Sequence, residues 1–562
     1  MLDQLKHIFL FSEETPLSFV NLYFWIFFGI IYTGYALIYD HKRLRNSYLF
    51  FISLFFYYKT SGFFFTILLF STLIDFWIGK KIGSSTSENK KKLLIILSVF
   101  INLSLLVYFK YAHFFVNNIN EMFGTNIRVI NHFSALTNWV IGSSFEAGKI
   151  LLPVGISFFT FQTISYSVDV YRGRVKPVTN IFDFGFYVSF FPQLVAGPIV
   201  RASDFIPQLY QKFRLRSYGF GLALFWILKG LIKKMIIGDY IAVNLIDMVF
   251  DNPLNYSGFE NLLALYGYSL QVYADFSGYT DIAIGLALLM GFRLPKNFNS
   301  PYKAKNVGDF WKRWHISLSN WLKDYLYIPS GGNRGGTVFT YVALSMIIAF
   351  IILLTGNIWY LYISLYIIAL LILLSLLLPR VKRSITTNIN LMITMLIGGL
   401  WHGASWQFVI WGGLNGIGLV VYKFWRKISP WEGKTGWLAH FWMVFLTFNF
   451  ITLTRIFFRS ESNEAMNGMI YRLGNFFTFN SNTGFISEIS IIPSILSTYK
   501  YPLIIMFIGY IIHWLPSSLK TSYRRWFIQT SAPLKMIIII VVVFGLYQSI
   551  SADRPPFIYF KF

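Results

Sequence analysis

Apolar runs of bilayer-spanning length recur along almost the whole chain, and its Lys and Arg residues gather in the short intervals between them. Hydrocarbon offers no partner to a backbone N–H or C=O, so a segment that crosses it must satisfy its own backbone, as a helix does. A spanning helix needs about 20 residues. The segments 19–38, 338–354, 359–378 and 391–410 reach or approach that length. Only 13% of the residues are charged, about half of the roughly 25% usual in a soluble domain. The expected fold is all-α: a polytopic integral membrane protein in the lipid bilayer, with about ten to twelve transmembrane helices. Shorter apolar runs at 48–58, 241–250, 262–272 and 282–290 predict re-entrant or tilted helices, tolerated only where protein or a cavity surrounds them. The polar interval 459–500, rich in Asn, Ser and Gly, reads as a surface loop or a small external cap.

The net charge of +24 does not make this a nucleic-acid-binding chain, because loops between spans collect Lys and Arg under the positive-inside rule. The clusters His41-Lys42-Arg43-Leu44-Arg45, Lys80-Lys81 and Lys90-Lys91-Lys92 fall on one side if the run at 48–58 crosses. That side is expected to be cytoplasmic, which places the N-terminus outside. Residues 1–12 are amphipathic and lack a small-residue cleavage site, so they read as an interfacial helix rather than a signal peptide. The absence of Cys excludes disulfides, thiolate nucleophiles and Cys-bound metals.

Two histidines stand in strongly hydrophobic surroundings. His315 lies in Trp311-Lys312-Arg313-Trp314-His315-Ile316-Ser317, and His402 in Gly398-Gly399-Leu400-Trp401-His402-Gly403-Ala404-Ser405-Trp406. Imidazole is costly near lipid and usually faces a polar cavity there. It is also the side chain best suited to move a proton near neutral pH. A hydrogen-bonded structural role is the plainer alternative, and it fits His315 better than His402, whose small neighbours permit close approach of backbone or ligand. No zinc-binding His spacing, nucleophile elbow, phosphate loop or dinucleotide fingerprint occurs, so no metal and no permanently bound cofactor are expected. A simple chemistry for such a histidine is direct acyl transfer. Neutral His402 would take the proton of an acceptor hydroxyl whose oxygen attacks a thioester carbonyl. The second histidine, or Asn415, could stabilise the oxyanion.

Four stretches resemble the membrane-bound O-acyltransferase (MBOAT) family, and within it the bacterial branch of alginate O-acetyltransferase membrane subunits. They are Phe190-Phe191-Pro192-Gln193-Leu194-Val195-Ala196-Gly197-Pro198-Ile199, Tyr273-Ala274-Asp275-Phe276-Ser277-Gly278-Tyr279, the block 311–334, and Gly398 to Ala404. The tail 557–562 is similar to that branch as well. The resemblance implies helices around a central funnel, with N-terminal transmembrane helices at 1–149, the catalytic core at 150–456, and an external loop with C-terminal helices at 457–562. It implies His402 and His315 as the catalytic positions. It also implies a bacterial cytoplasmic membrane, an acyl group moved from a cytoplasmic thioester toward an exported polysaccharide, and a secreted or membrane-anchored acetyltransferase as partner. Acetyl-CoA is the expected donor. Lys312, Arg313 and Arg334, with Asn333 beside the last, are the candidate donor-binding set, since basic side chains bind phosphate well.

The sister branch, which passes D-alanine from a carrier-protein thioester toward teichoic acid, is a second reading. The segment Gly331-Gly332-Asn333-Arg334 favours the polysaccharide branch. Outside enzymology, a proton-coupled transporter would need intramembrane carboxylates and matching halves, whereas Asp75 and Asp169 stand alone. A non-catalytic scaffold that recruits a soluble transferase is the third reading.

Overall fold

The computed structural model describes residues 17–141, 150, 152–355, 379–478 and 484–549, with single residues between 359 and 373. Among the described residues the chain is helical, without a strand. Five helical runs are long and apolar enough to cross a membrane: Lys42–Ser84, Glu88–Phe123, Lys382–His402, Trp406–Ile428 and Trp437–Arg459. Two bent pairs raise the number to seven if each forms one span. They are Ile492–Thr498 with Lys500–Trp514, at 83°, and Ser517–Gln529 with Ala532–Gln548, at 117°. The other apolar runs fall in helices too short or too polar for that test, or outside the described residues, as do the N-terminal amphipathic stretch and the tail 557–562.

The chain divides into two compact units. The first comprises residues up to 98, 161–318 and those from 431 onward; the second comprises 99–160 and 319–430.

The spine of the first unit is the helix Gly258–Leu289, whose N-terminus carries a capping box between Ser257 and Glu260. It lies against a helix that runs without a break from Ser217 to Asp251, partly in widened π turns at Ile232–Asp239 and Ala242–Ile246. Glycines set the approach. A Cβ on Gly230 would stand 2.5 Å from the Gly278 carbonyl, and one on Gly285 would stand 2.7 Å from the Ala223 carbonyl. Contact this close is typical of small-residue helix pairs in membranes. Beside it, the Lys234 ammonium lies between Asp239 (2.5 Å) and Asp275 (2.6 Å), and Asp281 takes Lys229 (3.1 Å) and Lys233 (2.7 Å). These pairs explain a departure from the sequence reading. The runs 262–272 and 282–290 are two halves of one helix, because lysines on the neighbour neutralise the carboxylates of the polar motif between them. A buried charge so paired needs no break in the helix to reach water.

Of the two readings of the interval 459–500, loop or cap, the cap fits better, since the interval contains the helices Asn463–Phe476, Phe485–Glu488 and Ile492–Thr498. The carboxylate of Glu488 accepts from the backbone N–H groups of Gly258 (2.8 Å) and Phe259 (2.9 Å). An acid at a helix N-terminus satisfies otherwise unpartnered donors and matches the dipole. A polar loop in sequence is thus a helical cap on the spine.

The second unit is built on a hairpin of the helices Pro379–His402 and Trp406–Ile428. A Cβ on Gly399 would lie 2.3 Å from the Phe408 carbonyl, and one on Gly412 would lie 2.4 Å from the Met395 carbonyl. The three residues 403–405 close the turn.

The Gly230–Gly278 crossing gives a stability test. Gly230→Ala must push two backbones apart, and overpacking of this sort costs about 1–3 kcal/mol. Gly219→Ala, on the same helix, meets only a Leu215 methyl at 3.6 Å. Thermal melts of the detergent-solubilised protein should show a clear loss for the first substitution and little change for the second.

Candidate active site

His402 is the last residue of its helix and is 2% exposed. Its ring meets Trp411 edge-on at 5.0 Å and 89°, and Trp401 at 5.0 Å and 81°. The glycine hairpin brings Trp411 of the second helix back against the terminus of the first. Asn415, one of the two possible oxyanion donors, is buried one turn beyond Trp411 and donates to the Trp411 carbonyl at 2.9 Å.

A helix that ends in apolar surroundings leaves its last carbonyls in need of donors. Here they come from a π turn at Val107–Tyr111. Lys110 Nζ donates to the carbonyl of Trp401 at 2.6 Å and of His402 at 3.3 Å, and to Ser157 Oγ at 3.5 Å. The Tyr111 hydroxyl donates to the Leu400 carbonyl at 2.8 Å. A cation at a helix C-terminus is also favoured by the macrodipole. Trp406 Nε1 donates to Asn118 Oδ1 at 2.9 Å and ties the hairpin turn to the helix that follows Lys110. Sequence reading missed Lys110 and Tyr111. The one available signal was a lone lysine directly after the apolar run 93–109.

His315 belongs to the first unit and lies outside the five spanning helices. It is fully buried and has a φ of 43°. A positive φ is uncommon for any residue with a Cβ and implies a conformation that its surroundings enforce. The enforcing contacts come from Asn297. Its carbonyl accepts from Ile316 N at 2.9 Å, and its Oδ1 accepts from Ser317 N at 3.1 Å and Ser317 Oγ at 2.9 Å. Ser317 Oγ in turn accepts from Ile199 N at 3.0 Å. The His315 ring stacks edge-on against Phe276 at 4.7 Å, and its Nδ1 accepts from Leu318 N at 3.4 Å. Three of the four motif stretches therefore meet at this histidine, through Ile199, Phe276 and Ser317. The preceding Trp314 carries the Arg455 guanidinium 4.4 Å above its ring, a cation–π contact that helps hold the turn. Burial pushes the His315 pKa down to about 3, so this imidazole is neutral at physiological pH.

The four expected donor-binding residues separate. Arg313 pairs with Asp309 at 2.9 Å and borders a basic cavity in the first unit. Lys312 is exposed and does not border it. Asn333 and Arg334 are exposed residues of the second unit, in a turn where Gly331 and Gly332 have φ of 106° and 53°. That turn is bound to the His402 helix: Arg383 Nε donates to the Asn333 carbonyl at 2.8 Å, and Asn390 Nδ2 to the Gly332 carbonyl at 3.2 Å. Asn390 and His402 are twelve residues apart on that helix, about 18 Å at 1.5 Å per residue.

Two outcomes are expected. Lys110→Met strands the buried carbonyls of Trp401 and His402, at a cost of about 1–3 kcal/mol. Differential scanning fluorimetry should show a lower melting temperature than for Tyr111→Phe, which strands one. For His315, the folded pKa lies below the usual value near 6.5, so the unfolded chain takes up the proton first. The stability due to its neutral form is complete above about pH 6.5 and is lost as pH falls from there toward 3. Melting temperatures between pH 7 and pH 5 should therefore fall more steeply for the natural protein than for His315→Asn.

The pattern of the MBOAT, membrane-bound O-acyltransferase family, matches residues 174–389, which include His315 and three of the motif stretches but end before His402. The chain is similar over nearly all of its length to the peptidoglycan O-acetyltransferase of Helicobacter pylori, with 32% identity over 598 residues, 99% of this chain and 98% of that protein. The probable alginate O-acetylase AlgI of Pseudomonas aeruginosa is 36% identical over 412 residues, 72% of this chain and 65% of the relative. The teichoic acid D-alanyltransferase of Bacillus subtilis is 28% identical over 309 residues, 53% of this chain and 66% of the relative. With that end-to-end likeness, the chain is a multi-pass membrane enzyme that belongs to the membrane-bound O-acyltransferase family.

Proposed function

We propose that this enzyme moves an acetyl group from a cytoplasmic thioester, acetyl-CoA, to hydroxyls of an exported polysaccharide. The observation that carries the reading is the near full-length similarity to a peptidoglycan O-acetyltransferase. The likeness to the D-alanyltransferase is lower in identity and covers about half of this chain, so the glycan reading is preferred. The protein works in the bacterial cytoplasmic membrane with its N-terminus outside. A secreted or membrane-anchored acetyltransferase is its partner in finishing the glycan.

In this mechanism neutral His402 accepts the proton of the acceptor hydroxyl as its oxygen bonds to the thioester carbonyl carbon. The tetrahedral oxyanion then collapses, the C–S bond breaks, and the departing thiolate takes the proton back from the imidazolium. General base catalysis of this kind contributes roughly 10²–10⁴-fold. Lys110 Nζ, donating to the carbonyls of Trp401 and His402, fixes the helix end from which the imidazole projects. His315, held neutral by burial, is the second catalytic position. The Asn333–Arg334 turn, about 18 Å along the helix from His402, suits a donor whose phosphates and thioester lie a pantetheine arm apart. Arg313 and Lys312, in the first unit, are separate candidates for a phosphate contact.

His402→Ala and His402→Gln separate the readings. Acetyl content of the surface glycan, measured by mass spectrometry, should fall about 10²-fold or more with the protein still present in the membrane at its normal level. Retained acetylation would point to a scaffold. Retained acetylation with altered proton-linked uptake would point to a transporter. His315→Ala should lower acetylation as well, and Arg334→Ala should raise the KM for the donor more than it lowers kcat.

A further inference from the structure

The first unit contains a cavity of about 500 Å³ between the helices Ser217–Leu231, Gly258–Leu289 and Ser517–Gln529 and the segment 296–303. Drug-sized ligands occupy sites of roughly 300–1,000 Å³. Seven cationic side chains and one carboxylate, Asp281, line it. Asp281 is already shared by Lys229 and Lys233. Lys303 Nζ donates to the Leu515 carbonyl at 2.7 Å, and Lys520 Nζ to Ser300 Oγ at 2.9 Å and the His513 carbonyl at 2.6 Å. These neutral acceptors orient the two ammonium groups without cancelling their charge. The Lys303 pKa is lowered by burial and then by the Arg313 guanidinium, as expected where like charges are crowded. Tyr273, Phe298 and Tyr523 add aromatic walls. The helix that carries Lys520 and Arg524 turns by 117° into the apolar helix Ala532–Gln548, a juxtaposition suited to the headgroup level of a bilayer.

We propose that this cavity binds a phosphate-bearing organic anion. Several uncompensated cations around one space favour a ligand with more than one negative oxygen, and Arg and Lys hydrogen bonds to phosphate are among the strongest available. Two sources share this chemistry: the headgroup of an anionic phospholipid and the phosphates of a soluble thioester donor. Only the second ties the cavity to the acetyl-transfer reading above, and neither depends on His402.

The test uses the full chain in phosphatidylcholine nanodiscs. Adenosine 3′,5′-bisphosphate, which lacks a thioester, is titrated by calorimetry. Retention of phosphatidylglycerol from mixed discs is followed by native mass spectrometry. In the natural protein at least one probe should bind, and Lys303→Ala with Lys520→Ala should weaken it by about tenfold or more, as expected for loss of charge-assisted hydrogen bonds. Loss for the bisphosphate alone assigns the soluble source, and loss for the lipid alone assigns the headgroup. His402→Ala should bind as the natural protein does, so a failure of the catalytic reading leaves this result standing. If the double variant does not fold, the single Lys520→Gln variant, with a normal melting temperature, serves in its place. Absence of binding by both probes, or binding unchanged in folded variants, overturns the proposal.

Discussion

In an apolar surrounding every helix end and every charge must find a partner inside the protein, and the arrangement around both histidines follows from that requirement. The carbonyl end of the His402 helix is met by Lys110 and Tyr111. The amide end of the Gly258–Leu289 helix is met by Glu488. Lys234, buried between Asp239 and Asp275, allows a polar motif to run through the middle of a long helix. Each of these partners lies far away in sequence and is fixed by the fold. Leaving any of them unpaired would cost more than most single packing contacts contribute.

Much of the candidate site was legible because it is written in short contiguous stretches. The Gly-Gly doublet before His402 and the Trp residues beside it gave the position, and the hairpin explains the pattern: Gly399 and Gly412 let the backbones touch, while Trp401 and Trp411 frame the ring. The fold class was legible from the apolar runs alone. Less legible was the way those runs join. A carboxylate in an apolar segment looks like a break until the lysine that neutralises it is known, and that lysine is 41 to 48 residues earlier, on another helix. Lys110 was invisible for the same reason, because a single lysine after a span ordinarily reads as an interfacial anchor. Composition left the interval 459–500 between a loop and a cap. Its Asn, Ser and Gly residues suggest loop, but Phe476 packs against Gly258 and Glu488 has a helix end to cap.

His315 shows what a motif of scattered residues can be for. Its neighbours at 199, 276, 297 and 317 carry little chemistry of their own. Together they hold one residue in a left-handed backbone conformation with its ring buried and neutral. Glycine would adopt that backbone more easily, so the imidazole is retained against a conformational cost. Such a trade is common where a side chain has a task.

The π turn at Val107–Tyr111 makes the length of this segment as informative as its composition. A widened turn holds one residue more than the α-helical turn it replaces. Losing one residue there would restore regular winding within the same turn, leave the flanking segments in phase and re-aim only the side chains of the turn itself. Lys110 would then point elsewhere, even though every other residue stayed the same. Among descendants of this chain, single-residue gaps should therefore be rarer between 107 and 111 than substitutions at the same sites.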